Sequence, residues 1–135
     1  MDRAQARERF ARARVARLAS VGPDGRPHIV PIVFVLDAET VYSAVDQKPK
    51  RTARLRRLEN LRARPAAALL ADHYDEDWSR LWWVRADGRA RVLDSGAEAA
   101  RAIALLAARY PQQRAVGAVL AVDVERWSGW SADAG

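Results

Sequence analysis

Apolar and polar residues alternate with a period of two along much of this chain, the rhythm of strands with one buried face. Val15 to Val21 (Val-Ala-Arg-Leu-Ala-Ser-Val) reads as a strand, and Gly22-Pro23-Asp24-Gly25-Arg26-Pro27 places proline and glycine where a hairpin needs them. His28 to Leu36 is a β-branched strand interrupted by Pro31. A proline has no N–H to give, so it marks an edge, a bulge, or a place where a ligand replaces a strand partner. Asp37-Ala38-Glu39 then turns the chain back into Thr40 to Ala44, completing a meander.

Other stretches follow a helical period. Asp2 to about Arg14 is rich in Ala, Arg, Glu and Gln, all strong helix formers. Leu55, Leu58 and Leu61 make an apolar stripe, with Arg54 and Arg57 on another side and Pro65 past the end. Ser95 is expected to cap a helix from Gly96 to Tyr110, with Glu98 closing a capping box. Between and after these helices come a short buried strand (Ala66 to Ala71), an acidic loop (Asp72 to Asp77) and a Trp-rich run (Trp78 to Arg85). Asp87-Gly88 reads as a tight turn, with Arg89 to Leu93 returning and Ala118 to Trp127 as the last strand. About six strands, joined mostly by short turns, predict a mainly β, α+β fold. The expected form is an antiparallel sheet closed into a small barrel with peripheral helices. The absence of regular βαβ alternation argues against a Rossmann fold, and neither a repeat nor a linker divides residues 1–135 into more than one domain.

Composition narrows the functional classes. A hydrophobic fraction of 50% and a charged fraction of 30% over 135 residues are those of a soluble globular domain. No apolar run approaches the roughly 20 residues that span a bilayer. Met1 to Arg14 is charged throughout, without the apolar core of a signal peptide, so a cytoplasmic location is expected. The lack of cysteine excludes disulfides and thiol nucleophiles, and with only His28 and His73 a histidine-rich metal site is not expected. Asp72, Asp75, Glu76 and Asp77 lack the spacing and central glycine of a calcium loop, so no metal is assigned to them. The net charge of +6 favours anionic partners, although much of the excess lies in the N-terminal helix and at Arg51 to Arg64.

One junction concentrates chemistry. The strand Thr40 to Val45 ends in Asp46-Gln47-Lys48-Pro49-Lys50-Arg51-Thr52, and a helix with further arginines follows. Backbone N–H groups at a helix start, with the positive end of the dipole and adjacent cations, make a seat for a phosphate. A solvated basic helix is the plainer reading of the same residues.

Leu18-Ala-Ser-Val-Gly-Pro-Asp-Gly-Arg-Pro-His-Ile-Val-Pro-Ile-Val-Phe34, Val41-Tyr-Ser43 and Lys48-Pro-Lys50 together resemble the flavin-binding split barrels similar to pyridoxamine 5′-phosphate oxidase. Arg57-Leu-Glu-Asn-Leu61, Asp72-His-Tyr-Asp-Glu-Asp-Trp-Ser-Arg-Leu-Trp-Trp-Val-Arg85 and Trp127-Ser-Gly-Trp130 are similar to the actinobacterial branch that uses the deazaflavin coenzyme F420. The resemblance implies a homodimer with two cofactor sites at the subunit interface. In it, His28, Val30, Pro31 and Ile32 line the tricyclic ring, and Tyr42 and Ser43 border the ribityl chain. Lys48, Lys50, Arg51 and Thr52 meet the phosphate. Counting forward from Tyr42 makes Lys50 the phosphate lysine, whereas counting back from Pro65 gives that role to Arg57 and Asn60, and both sets stay open. Trp78 and Trp83 are further candidates for the ring, Trp82 and Trp83 facing opposite sides of a strand. The residues with which pyridoxamine phosphate oxidases hold their own substrate have no match in this chain.

The implied activity is hydride transfer between F420 and a small organic substrate, the cofactor carrying the reactive atom and the protein supplying orientation and electrostatics. No catalytic side chain is assigned. The same scaffold could instead carry FMN or a haem-like tetrapyrrole. A basic nucleic-acid-binding barrel would need aromatics interleaved with cations on one face. Here the tryptophans sit among apolar residues and acidic loops.

Overall fold

The computed structural model describes residues 1–46, 58–113 and 115–134. Seven strands form one antiparallel sheet: β1 (Ala16–Val21), β2 (Pro27–Ile32), β3 (Val35–Asp37), β4 (Thr40–Asp46), β5 (Ala66–His73), β6 (Trp82–Leu93) and β7 (Ala115–Ser131). Their spatial order is β2-β1-β5-β6-β7-β4-β3. Helix α1 (Arg3–Arg12) precedes β1, residues 58–63 form α2, and α3 (Ala97–Arg109) joins β6 to β7.

The sheet is open, where the turn spacing predicted a closed barrel of six strands: β2 and β3 are its two edges and do not pair. The segment read as one strand from His28 to Leu36 is in fact two, because at Val33–Phe34 the chain leaves one edge and steps to the other. Three contacts fix that step. Ser43 Oγ donates to the Val33 carbonyl at 2.8 Å, Arg109 donates to the Phe34 carbonyl at 2.8 Å, and the Phe34 ring lies 4.6 Å from that of Phe10. Phe10 in turn meets Trp127 edge-on at 5.3 Å, and this aromatic stack sits with Leu18, Val41, Leu69 and Val122 inside the curl of the sheet. The architecture is thus a barrel split along one seam.

Helix α1 buries Ala6 and Phe10 in that interior. Asp2 caps it by accepting from the Gln5 N–H at 2.8 Å while the Gln5 side chain accepts from the Asp2 N–H at 2.9 Å. At the β3–β4 turn, Glu39 accepts from Arg3 at 2.8 Å, from Arg7 at 3.1 Å and from the Trp127 indole at 3.1 Å, so one carboxylate ties α1, the hairpin and β7 together.

A second core lies outside the curl. Alternation along β4 and β7 turns Val41, Leu120 and Val122 inward, and Tyr42, Val119 and Ala121 outward, where Ala102, Leu106 and Tyr110 of the α3 region cover them.

Two sequence expectations fail here. Asp87-Gly88 is no turn: β6 runs through it, and the register against β7 slips, Asp87 facing Arg126 while Gly88 faces Val124. A Cβ on Gly88 would stand 2.1 Å from the Asp123 carbonyl oxygen, so the glycine permits the close approach of a β-bulge. Because β7 carries one extra residue there, Val124 and Trp127 both point inward. Nor does Ser95 cap α3. Gly96 holds the cap position at φ 102° without a side-chain bond, and Glu98 is engaged elsewhere.

Candidate functional site

Strand β2, expected to line the ring, is an edge strand, one of the positions that Pro31 left open. Pro27, Ile29 and Pro31 lie on alternate positions, so their backbone polar groups share one side of the strand. A proline is tolerated where its nitrogen faces away from the neighbouring strand. That side is therefore the free edge along the seam, with three carbonyl acceptors and Ile29 as the remaining N–H donor. The Val30 and Ile32 side chains pack against the interior core, whereas Ile29 is 66% exposed. His28 lies over the hairpin turn: a Cβ on Gly22 would fall 2.7 Å from its Nε2.

The step at Val33 brings the end of β2 to Ser43, but Tyr42 and Ser43 use their hydroxyls inside the protein. Ser43 is buried and holds Val33; Tyr42 is buried against α3 and donates to Glu98 Oε2 at 2.7 Å. Burial, then the bond to Glu98, push the Tyr42 phenol up to about 12. Arg91 grips Glu98 through two bonds of 2.8 Å and Asp123 through bonds of 2.6 and 3.0 Å, while Thr40 donates to Asp123 at 2.9 Å. The Arg91 guanidinium, then the Tyr42 hydroxyl, draw Glu98 down to about 2. Asp123 is lowered as well, chiefly by Arg91. This node fastens the start of α3 to β4, β6 and β7, and takes the place of the missing side-chain cap. Sequence reading missed it, although Arg91 and Asp123 both occupy outward positions on what prove to be paired strands.

The tryptophans separate as strand geometry requires. Trp82 packs against the interior with the Arg9 guanidinium 5.4 Å from its ring centroid. Trp83 points to the outer face, in register with Trp130 of β7. Trp78 belongs to a 3-10 turn (Trp78–Arg80) capped by Asp77, not to a strand, and is 72% exposed. Asn60 lies on α2 between the buried Leu58 and Leu61. Lys48, Lys50, Arg51, Thr52 and Arg57 lie outside the described residues.

Over β2, β1, β5 and the first half of β6, the outer face carries Ile29, Val21, Leu70 and Trp83 among the ion pairs Arg17–Asp72 and Arg85–Asp87. No described helix covers it. Nor is any described helix long and apolar enough to cross a membrane.

A family model described as pyridoxamine 5′-phosphate oxidase matches residues 3–131. No curated protein matches the chain. Solved structures of similar fold include a conserved hypothetical protein of Mycobacterium tuberculosis, at TM-score 0.76 and 19% identity over 98% of this chain and 86% of that one. A FAD-binding protein of Mesorhizobium loti has TM-score 0.72 and 20% identity over 96% and 94% of the two chains. The haem storage protein of Vibrio cholerae has TM-score 0.68 and 17% identity over 96% and 93%. At these identities the likeness establishes the fold.

Proposed function

The chain belongs to the pyridoxamine 5′-phosphate oxidase family, and from that membership we propose that it is a homodimeric oxidoreductase using a flavin-type cofactor, with coenzyme F420 as the specific partner. The observation that carries this reading is the free edge of β2 beside a sheet face that no described helix covers and that presents Ile29, Val21, Leu70 and Trp83. An edge with carbonyl acceptors suits the imide N–H of a flavin or deazaflavin ring, and the adjoining apolar face suits a second copy of the chain, which would complete a slot from which water is excluded. His28, Val30, Pro31 and Ile32 would flank the ring through the strand they build. Tyr42 and Ser43 would act by fixing the seam, since their hydroxyls are already bonded. Lys48, Lys50, Arg51 and Thr52, or alternatively Arg57 and Asn60, would hold the phosphate, and Trp78 and Trp83 would border the ring or the partner. When bound, F420 supplies the carbon that gives or takes a hydride; the protein binds, orients and keeps out solvent.

F420 over FMN is supported by the run Asp77-Trp-Ser-Arg-Leu-Trp-Trp-Val-Arg85 and by the surplus of arginines beyond a single phosphate seat. A second reading, FMN or a tetrapyrrole held without turnover, draws support from the similar folds of the FAD-binding and haem storage proteins. Fluorescence titration of the purified protein with F420 and, separately, with FMN distinguishes them. Micromolar F420 binding is expected, and FMN binding without F420 binding would sink the specific assignment. In the Lys48→Ala/Lys50→Ala variant F420 affinity should fall; unchanged affinity would move the phosphate to Arg57 and Asn60.

A further inference from the structure

A cleft of about 590 Å³ opens between α1, the Trp78–Arg80 turn and the start of β6, within the ~300–1,000 Å³ range of small-ligand sites. We propose that it binds a phosphate monoester, at a site separate from the cofactor's. Arg9 and Arg12 stand one turn apart on α1, and Arg80 enters from the 3-10 turn. None of the three is strongly engaged. Arg9 rests on the Trp82 ring, and its bond to Ser131 Oγ is long at 3.4 Å. Arg12 pairs with Glu8 at 3.2 Å, but the two side chains are 75% and 70% exposed, where such a pair contributes little. Arg80 makes no ion pair among the described residues. Arg62, Arg85, Arg91 and Arg101, by contrast, are each bound to a carboxylate at 3.0 Å or less. Asp133 is the one carboxylate lining the cleft, and it accepts from the Ser131 hydroxyl.

Three guanidinium forks arriving from two elements match a tetrahedral group with three free oxygens better than a planar carboxylate, which one fork satisfies. Trp82 holds Arg9 by its ring face and gives the cleft an apolar wall for the ester's organic part. No described residue lining the cleft lies on β2 or β4, so the inference does not draw on the strands of the cofactor reading.

Calorimetric titration of the full chain with phenyl phosphate tests it, with benzoate as the carboxylate probe. Phenyl phosphate should bind, with affinity reduced about tenfold or more in Arg9→Gln/Arg80→Gln and unchanged in Arg26→Gln, a hairpin arginine far along the chain. Benzoate should bind at least about tenfold more weakly than phenyl phosphate. No binding to the wild type, equal affinity in the double variant, or benzoate as tight as phenyl phosphate would each overturn the proposal. Arg80→Gln alone alters an exposed side chain and leaves α1 untouched. It should still lower affinity about threefold or more, and unchanged affinity there counts against the site even if the double variant fails to fold.

Discussion

Over β4 and β7 the outer face of the sheet is sealed by α3, whereas over β2, β1 and β5 no described helix lies on the same face. On the sealed half, alternation gives Tyr42, Val119 and Ala121 to a second core, and the Arg91 node clamps the helix in place. On the open half the corresponding positions hold Ile29, Val21, Ala19 and Leu70 beside the ion pair Arg17–Asp72, and no described helix lies over them. Apolar side chains that add to the core on the sealed half gain no such burial from the described helices on the open one. The difference teaches that the sealed half serves stability, and it leaves the open half as the face on which the proposed dimer would form.

Substitutions on the two halves should therefore fail in different ways. The largest loss of stability is expected on the sealed side: Leu106→Ala, at a 1% exposed position, should lower the unfolding free energy by about 2–5 kcal/mol in urea titration. Gly88→Ala, at the bulge between the halves, should cost about 1–3 kcal/mol, because its Cβ meets the Asp123 backbone; a neutral result would mean that β7 slides freely there.

Acid should act on the sealed half next. Glu98 is drawn from 4.5 to about 2, so its contribution is complete above the unfolded value and is lost as the pH falls through about 2. With side-chain exposure of 40% that contribution is discounted to about 1 kcal/mol. Arg91→Gln should flatten the decline of the urea midpoint between about pH 5 and pH 2, and an unaltered slope would dissociate the node from acid stability.

The smallest effect on the fold is expected on the open side. Ile29→Glu should change the unfolding free energy of the protomer by no more than about 0.5 kcal/mol, while sedimentation velocity shows dimer converted to monomer. A wild type that sediments as a monomer, or an Ile29→Glu protein that is still dimeric, would break the comparison.

Much of this was legible in the sequence, and the exceptions share a cause. The β1–β2 and β3–β4 hairpins and the opposite facing of Trp82 and Trp83 follow from local alternation, and Pro31 allowed for the edge position of β2. The continuous meander does not form, because β2 and β3 lie on opposite edges. The seam, the bulge and the cap do not follow from local signals. Nothing local to Val33 and Phe34 says that the chain changes edges there, since the anchors come from Ser43 and from Arg109 some 75 residues away. Gly88 carries the composition of a turn, and only the approach of β7 makes it a bulge. Glu98 has the spacing of a capping box, but a guanidinium on β6 outcompetes the backbone for it. Of the expected cofactor residues on β4, Ser43 is tied to Val33 just past the end of β2, while Tyr42 faces the helix.

The strand order also dictates a timetable. The first 46 residues make both edge hairpins, and neither has its neighbour in the sheet until β5 and β7 exist. Two-stranded hairpins are marginal alone in water, and joining β4 to β7 means pairing Thr40 with Asp123 across 83 positions of chain. On the ribosome β1 and β2 must wait for β5, and β3 and β4 longer still, because a nascent chain arrested before β7 offers them no neighbour in the sheet. The β3–β4 hairpin, made before β5 and β6, is thus the last of these strands to find its place.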